Sequence, residues 1–167
     1  VADLEIAKAR TMGVDYLKSY VRAPIPVMAR IAQAGLDMGV PTGTHLVAPG
    51  AAAGIGGTTH LSATERMGYG WSKSTGGISY QDVHDLYAQA GMPLVETSFA
   101  SLALVGQDAA MLADERVGLL IPPSFLPALA GTAVPGERML QAVRQEAEQV
   151  AKVRRAGGWL AIGSDTP

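Results

Sequence analysis

Strand-like and helix-like segments alternate about five times along this chain, and that alternation limits the possible folds more than any other feature. Residues 2–12 carry Leu4, Ile6, Ala7 and Met12 at mixed helical spacing, and residues 13–21 (GVDYLKSYV) then alternate and are rich in β-formers. Segment 24–39 sets Val27, Ile31, Ala34 and Met38 on one helical face, with proline at its start and glycine at its end, where each is tolerated. A strand over 40–47 follows directly, and an Ala/Gly-rich bridge over 48–57 leads to a short strand over 58–62. Beyond a long polar loop (62–79), residues 78–91 read as a helix with Val83, Leu86, Tyr87 and Ala90 on one side, and 92–99 as a strand. Segment 99–134 suggests one or two short helices and an apolar run broken by prolines. Residues 136–158 form the strongest helical pattern, and 159–165 (WLAIGSD) close with a strand.

Such alternation favours an α/β fold with a parallel sheet and helical crossovers. A doubly wound sheet and a (β/α)₈ barrel both satisfy it. The barrel is preferred because polar residues recur at the C-terminal ends of the strands: Lys18 with Tyr20, His45, His60, Glu96 with Thr97, and Asp165. Sites of barrels of this type are built at that rim. Five strands do not close such a barrel, which needs roughly 250 residues. The 167 residues are therefore expected to be one partial barrel domain holding the second half, about strands 4 to 8, of a longer protein.

Charge and composition narrow the partners. The formal net charge is −2, from 13 basic and 15 acidic residues without runs, so no basic stripe is present to neutralise a phosphate backbone. Nucleic acid is not an expected partner. With 48% hydrophobic and 17% charged residues the chain has the apolar content of a folded domain. There is no cysteine, hence no disulfide framework and no thiolate metal site, and the compartment stays open. No targeting signal is visible in this segment and no window approaches ~18 uninterrupted apolar residues, so a soluble chain without a membrane span is expected.

The order Lys18, His45, His60, Asp165 at successive strand ends resembles the metal-dependent amidohydrolase superfamily. It is most similar to the amidohydrolases joined in longer chains to a TolB-like β-propeller. Residues 57–99 (GTTHLSATERMGYG through GGISYQDVHDLYAQAGMPLVETSF) look like the sixth strand, its following loop and the seventh strand of that subgroup. AGGWLAIGSDTP resembles the eighth strand with its metal-binding aspartate, and DYLKSYVR the fourth strand, whose lysine in many members is carboxylated.

The resemblance implies a hydrolase that cleaves amide or cyclic-amide C–N bonds with metal-activated hydroxide. Its metal ligands would be Lys18, His45, His60 and Asp165, holding one or two divalent ions, zinc first, with Lys18 as a bridging carbamate. Asp165 would be the catalytic residue, accepting the proton of the attacking water and delivering it to the leaving nitrogen. Tyr20 and the loop residues Arg66, Tyr69 and Trp71 are the candidate contacts to a small-molecule or peptide amide. The family's His-x-His pair of the first strand is absent, so the resemblance implies a missing N-terminal half-barrel as partner.

Other readings compete. The chain is alternatively a catalytically silent, structural subdomain that associates through open sheet edges, for which a homo-oligomer is expected. A doubly wound module binding a small molecule at a strand switch point is a third reading. Individually, Lys18 reads as an ordinary exposed lysine, His45 and His60 as buried hydrogen-bonded histidines and Asp165 as a turn former. Arg66, Tyr69 and Trp71 read as part of a plain polar connection. His84, between Asp82 and Asp85 in a helical pattern, reads as a solvated helix surface. The glycines of AGIGG lack the lysine and hydroxyl residue of a phosphate loop.

Overall fold

The computed structural model describes residues 1–21, 23–61, 65–67, 70–97, 109–131 and 136–163. They fall into two compact units, Val1–Thr97 with Glu148–Gly163, and Ser98–Ala147 with Ser164–Pro167.

The first unit is α/β. Its elements are α1 (Ala2–Met12), β1 (Leu17–Lys18), α2 (Ile25–Met38), β2 (Thr42–Thr44), α3 (Val47–Ala52), β3 (Gly57–Thr59), a small antiparallel pair β4 (Glu65–Met67) and β5 (Gly70–Trp71), α4 (Gln81–Ala90), β6 (Leu94–Glu96) and β7 (Leu160–Ile162). The last helix of the chain, α8 (Glu137–Arg155), enters this unit with its C-terminal part. β1, β2, β3, β6 and β7 form one parallel sheet in that order, so each strand lies beside the next in the chain, without reversal. All five expected strands are present, each shorter than its β-rich stretch.

Local chemistry accounts for the elements. Proline at the start of α2 needs no amide partner there, and the helix stops at Gly39, whose φ of 68° is the left-handed conformation that glycine adopts without steric cost. α3 occupies part of the segment expected as an irregular bridge. Its Pro49 sits in the first turn, where no helical hydrogen bond is lost, and its Val47 is fully buried in the main core, which outweighs the poor propensity of VAPGAA. The loop expected over 62–79 contains the β4–β5 pair.

The helices pack on one face of the sheet. On that face Thr44 of β2 meets Met28 of α2, the Thr58 hydroxyl is 2.5 Å from that of Tyr87 in α4, and Leu94 joins Val47, Leu61, Val83, Tyr87, Met92 and Val153 in the main core. A smaller cluster, Met28, Ala32, Leu46 and Ile55, seats α2. Each fully buried aliphatic side chain of this kind stabilises the fold by about 1.5–3 kcal/mol. Strand alternation assigns Tyr16, Lys18, Tyr20, Gly43, Val95 and Ala161 to the opposite face. There the Tyr16 hydroxyl crosses Gly43 so closely that any β-carbon at that position would collide with it.

The second unit is helical among its described residues, with α5 (Ala109–Leu112), α6 (Glu115–Leu120), α7 (Leu126–Ala130) and the beginning of α8. Among the described residues α5 lies where one or two short helices are expected, and α6 and α7 lie in the apolar, proline-broken run that follows. Asp114 caps α6 by accepting the amide of Arg116 at 2.9 Å, and the Arg116 guanidinium beside it holds its carboxyl below the ordinary carboxylate value. No helix among the described residues is long and apolar enough to cross a membrane.

Candidate functional site

Because the five strands are parallel, their C-terminal ends share one edge of the sheet. His45 follows the last residue of β2, His60 follows the last residue of β3, Glu96 ends β6 and Thr97 follows it. Lys18 ends β1 and pairs with Gly43, two residues short of His45 and so about 7 Å back along the strand. Lys18 is exposed on the face away from the helices.

The two histidines meet. Their ring centres are 5.1 Å apart, and both residues are buried, at 5% and 6% exposure. Tyr20 stands edge-on to His45 at 5.4 Å between ring centres while remaining 76% exposed. Thus the phenol forms an outer lip and the imidazoles an inner one.

His60 is held by three successive residues of the neighbouring strand. Its amide donates to the Val95 carbonyl at 3.0 Å, the following amide, of Leu61, donates to the Glu96 carboxylate at 3.1 Å, and Nδ1 of its ring lies 2.5 Å from the Thr97 hydroxyl. These contacts hold the backbone of His60 at φ 63°, which no other non-glycine residue among those described adopts. The left-handed conformation costs roughly 1–2 kcal/mol for a residue with a β-carbon. Strain of this kind persists only where surrounding structure over-determines it, and it concentrates at functional sites.

His84 corrects the sequence reading. It was expected on a solvated helix surface, but is 4% exposed, and its Nε2 lies 2.5 Å from Oγ of Ser79. That hydroxyl gives its proton to Oε1 of Gln149 at 2.8 Å, so Nε2 of His84 is the donor to Ser79. The same Gln149 oxygen accepts the Ser79 amide at 3.0 Å and the Lys152 ammonium at 2.9 Å. Burial, and next the positive charge of Lys152, lower the pKa of His84 from its ordinary 6.5, against the weaker opposing pull of Asp85 and Asp82. The flanking aspartates suggested water. The better signal was the apolar stripe: Val83 and Tyr87, one residue before and three after His84, are both buried in the core.

Of the other residues singled out from sequence, Arg66 lies in β4 and Trp71 in β5, while Tyr69 and Asp165 lie outside the described residues. The structure therefore brings together Tyr20, His45 and His60, and adds Thr97 and Glu96, which the sequence marked as polar strand ends without a role. Among the described residues no group of three or more His, Cys, Asp or Glu side chains is arranged to hold a metal ion. The 5.1 Å between the two ring centres is close to the separation of about 5 Å expected of two imidazoles bound at roughly 2.0–2.1 Å to one tetrahedral cation. Comparison with known proteins adds no relative: no family model matches the chain, and no curated protein matches it.

Proposed function

We propose that this chain is the C-terminal half of a metal-dependent (β/α)₈ hydrolase barrel of amidohydrolase type that cleaves amide or cyclic-amide C–N bonds. The observation that carries the reading is the buried His45–His60 pair at the C-terminal edge of adjacent parallel strands, with ring centres 5.1 Å apart. Two features of the fold support it. Strands in consecutive order with helices on one face suit the wall of a barrel, whereas a doubly wound sheet reverses its strand order and carries helices on both faces.

In this reading His45 and His60 hold a divalent cation, zinc by the preference of that ion for imidazole, with Asp165 and the carbamate of Lys18 as further ligands. A cation bound there lowers the pKa of water toward ~7 and polarises the carbonyl under attack. The remaining work falls to the chain. Asp165 takes a proton from the attacking water and returns it to the amide nitrogen, so that the C–N bond breaks with a neutral amine leaving. Tyr20, next to His45, is the contact to a small-molecule or peptide amide that the structure describes, and Arg66, Tyr69 and Trp71 are further candidates from the sequence. A partner half-barrel supplies the His-x-His pair and covers the open sheet edges.

Isothermal titration of the untagged chain with zinc tests the pair. Binding that is lost in both His45→Ala and His60→Ala supports the proposal; a folded wild-type chain that takes up no zinc overturns the role of the pair. A second reading, a silent subdomain that self-associates, is favoured by the edge strand β7, which leaves Ile162 96% exposed and is preceded by the exposed Trp159. It expects a dimer by light scattering that zinc and chelator leave unchanged.

A further inference from the structure

We propose that His84 and Lys152 form a proton-operated latch: while the His84 ring is neutral the Lys152 ammonium docks on the Gln149 side chain, and when the ring takes up a proton the ammonium is expelled to water. Local pH then sets how many cations the C-terminal end of α8 presents. The latch stands apart from the metal-site reading, since none of its residues is a candidate ligand there.

The hydrogen bonds of the cluster have a fixed direction. Oε1 of Gln149 lies 3.0 Å from the Ser79 amide and 2.9 Å from the Lys152 ammonium, two groups that only donate, so the carboxamide is held with its oxygen toward Ser79. The same oxygen lies 2.8 Å from Oγ of Ser79, where two facing acceptors would repel, so the hydroxyl directs its one proton to Gln149. Nε2 of His84, 2.5 Å from that Oγ, is then the donor. The neutral ring is the Nε2-protonated tautomer, and a further proton enters at Nδ1. Protonation therefore breaks none of these bonds. It adds charge and leaves every donor in place.

The added charge sits where water screens poorly, because His84, Ser79 and Gln149 are 4%, 6% and 0% exposed. The charges that bear on the ring are Asp82 and Asp85 from α4 itself and Lys152 and Arg155 from α8. α3, which also packs on α4, carries no titratable side chain, and the segment before α4 carries Lys73, paired with Ser79 across the turn. Lys152 is three hydrogen bonds from the ring, through Gln149 and Ser79, and after burial its charge is the strongest influence against the protonated form.

One of the two cations has to move, and the surroundings decide which. His84 lies on the same helix as Val83 and Tyr87, both fixed in the main core. Lys152 is half-buried on a flexible four-carbon stem, and it belongs to the last turn of α8, where the helix dipole favours a cation in water as well. Acid thus releases a third cation beside the exposed Arg154 and Arg155. The coupling is reciprocal: docking of the ammonium disfavours the proton on His84 by the factor by which the proton disfavours docking.

The test is a pH titration of the whole chain across the histidine range by NMR, for wild type, His84→Gln and Lys152→Met. Cross-peaks between the Lys152 ε-methylene and the Gln149 carboxamide are expected above the midpoint of His84 and lost below it in wild type, and retained throughout in His84→Gln. The neutral His84 ring should be Nε2-protonated, and its midpoint should rise in Lys152→Met, where the opposing charge is gone. Cross-peaks that persist through the wild-type midpoint overturn the latch, as does an Nδ1-protonated neutral ring. An unchanged midpoint in Lys152→Met overturns the coupling on which it depends. The first two readings need only the wild-type chain, so the proposal is decided even where a variant fails to fold.

Discussion

His60 and His84 are both buried and both share a short hydrogen bond with a hydroxyl, yet the two sites are built differently. His84 sits in an unstrained helix, and the proton of its Ser79 partner is committed to Gln149, whose oxygen also takes the Ser79 amide and Lys152. These bonds converge on the Gln149 oxygen and tie the start of α4 to α8. His60 instead sits on a left-handed backbone just past the end of a strand, its ring against a second imidazole. The difference separates a histidine in a relaxed helical setting from one on a strained backbone, and burial alone does not tell them apart.

The widest separation between the two sites is expected in cation binding. His45→Ala or His60→Ala should weaken zinc uptake by at least roughly 100-fold, because each removes a ligand outright, while His84→Ala should leave it within about 2-fold when titrated well below its unfolding temperature. Equal losses in all three would erase the distinction.

Stability should reverse the ranking. Gln149→Ala removes the acceptor of three bonds and strands the buried Ser79 amide, so urea unfolding should show a loss of about 3 kcal/mol. His45→Ala, at the rim, should lose about 1 kcal/mol or less. A rim substitution as costly as the one at Gln149 would make the rim part of the core.

Acid sharpens the comparison further. The pKa of folded His84 lies below the 6.5 of the unfolded chain, so the unfolded state binds more protons between the two values. Its contribution is fully present above pH 6.5 and is lost as pH falls through the folded value. Wild-type stability should therefore decline on acidification in that window, and His84→Gln should flatten the slope. Asp82 and Asp85 on α4 and Lys152 and Arg155 on α8 bear on the same ring, so the variant must be compared with wild type at each pH. An unchanged slope would remove His84 as the source.

The smallest effect is expected from His60→Gly. Relief of roughly 1–2 kcal/mol of backbone strain is set against the lost ring contacts and the greater freedom of glycine in the unfolded chain, for a net change within about 1 kcal/mol. A much larger loss would show that the contacts of the ring itself justify the strained backbone.

Much of the framework was legible in the sequence because local chemistry and tertiary position agree there. β-branched runs ending in Lys18, His45, His60 and Glu96 marked the strands, and proline and glycine marked the limits of α2. α3 was not legible, since VAPGAA has no helical signature of its own and forms where the burial of Val47 rewards it. His84 was misread because its neighbours in sequence, Asp82 and Asp85, are polar while its neighbours in space come from residues 79 and 149. Within the candidate site, His45 and His60 were marked as polar strand ends, and the structure sets their rings side by side. Thr97 and Glu96 were not assigned to it, because their partners lie one strand away and more than thirty residues back.

The bond from Ser79 to Gln149 joins residues 70 positions apart, and that separation bears on the order in which the molecule assembles. Contacts between distant residues form only after the loop between them has closed. A chain still emerging from the ribosome can pair β1 with β2 and β3, but the turn before α4 stays unanchored until α8 has been synthesised and docks. Interrupting synthesis anywhere before residue 149 would leave His84 exposed on a helix awaiting its seat.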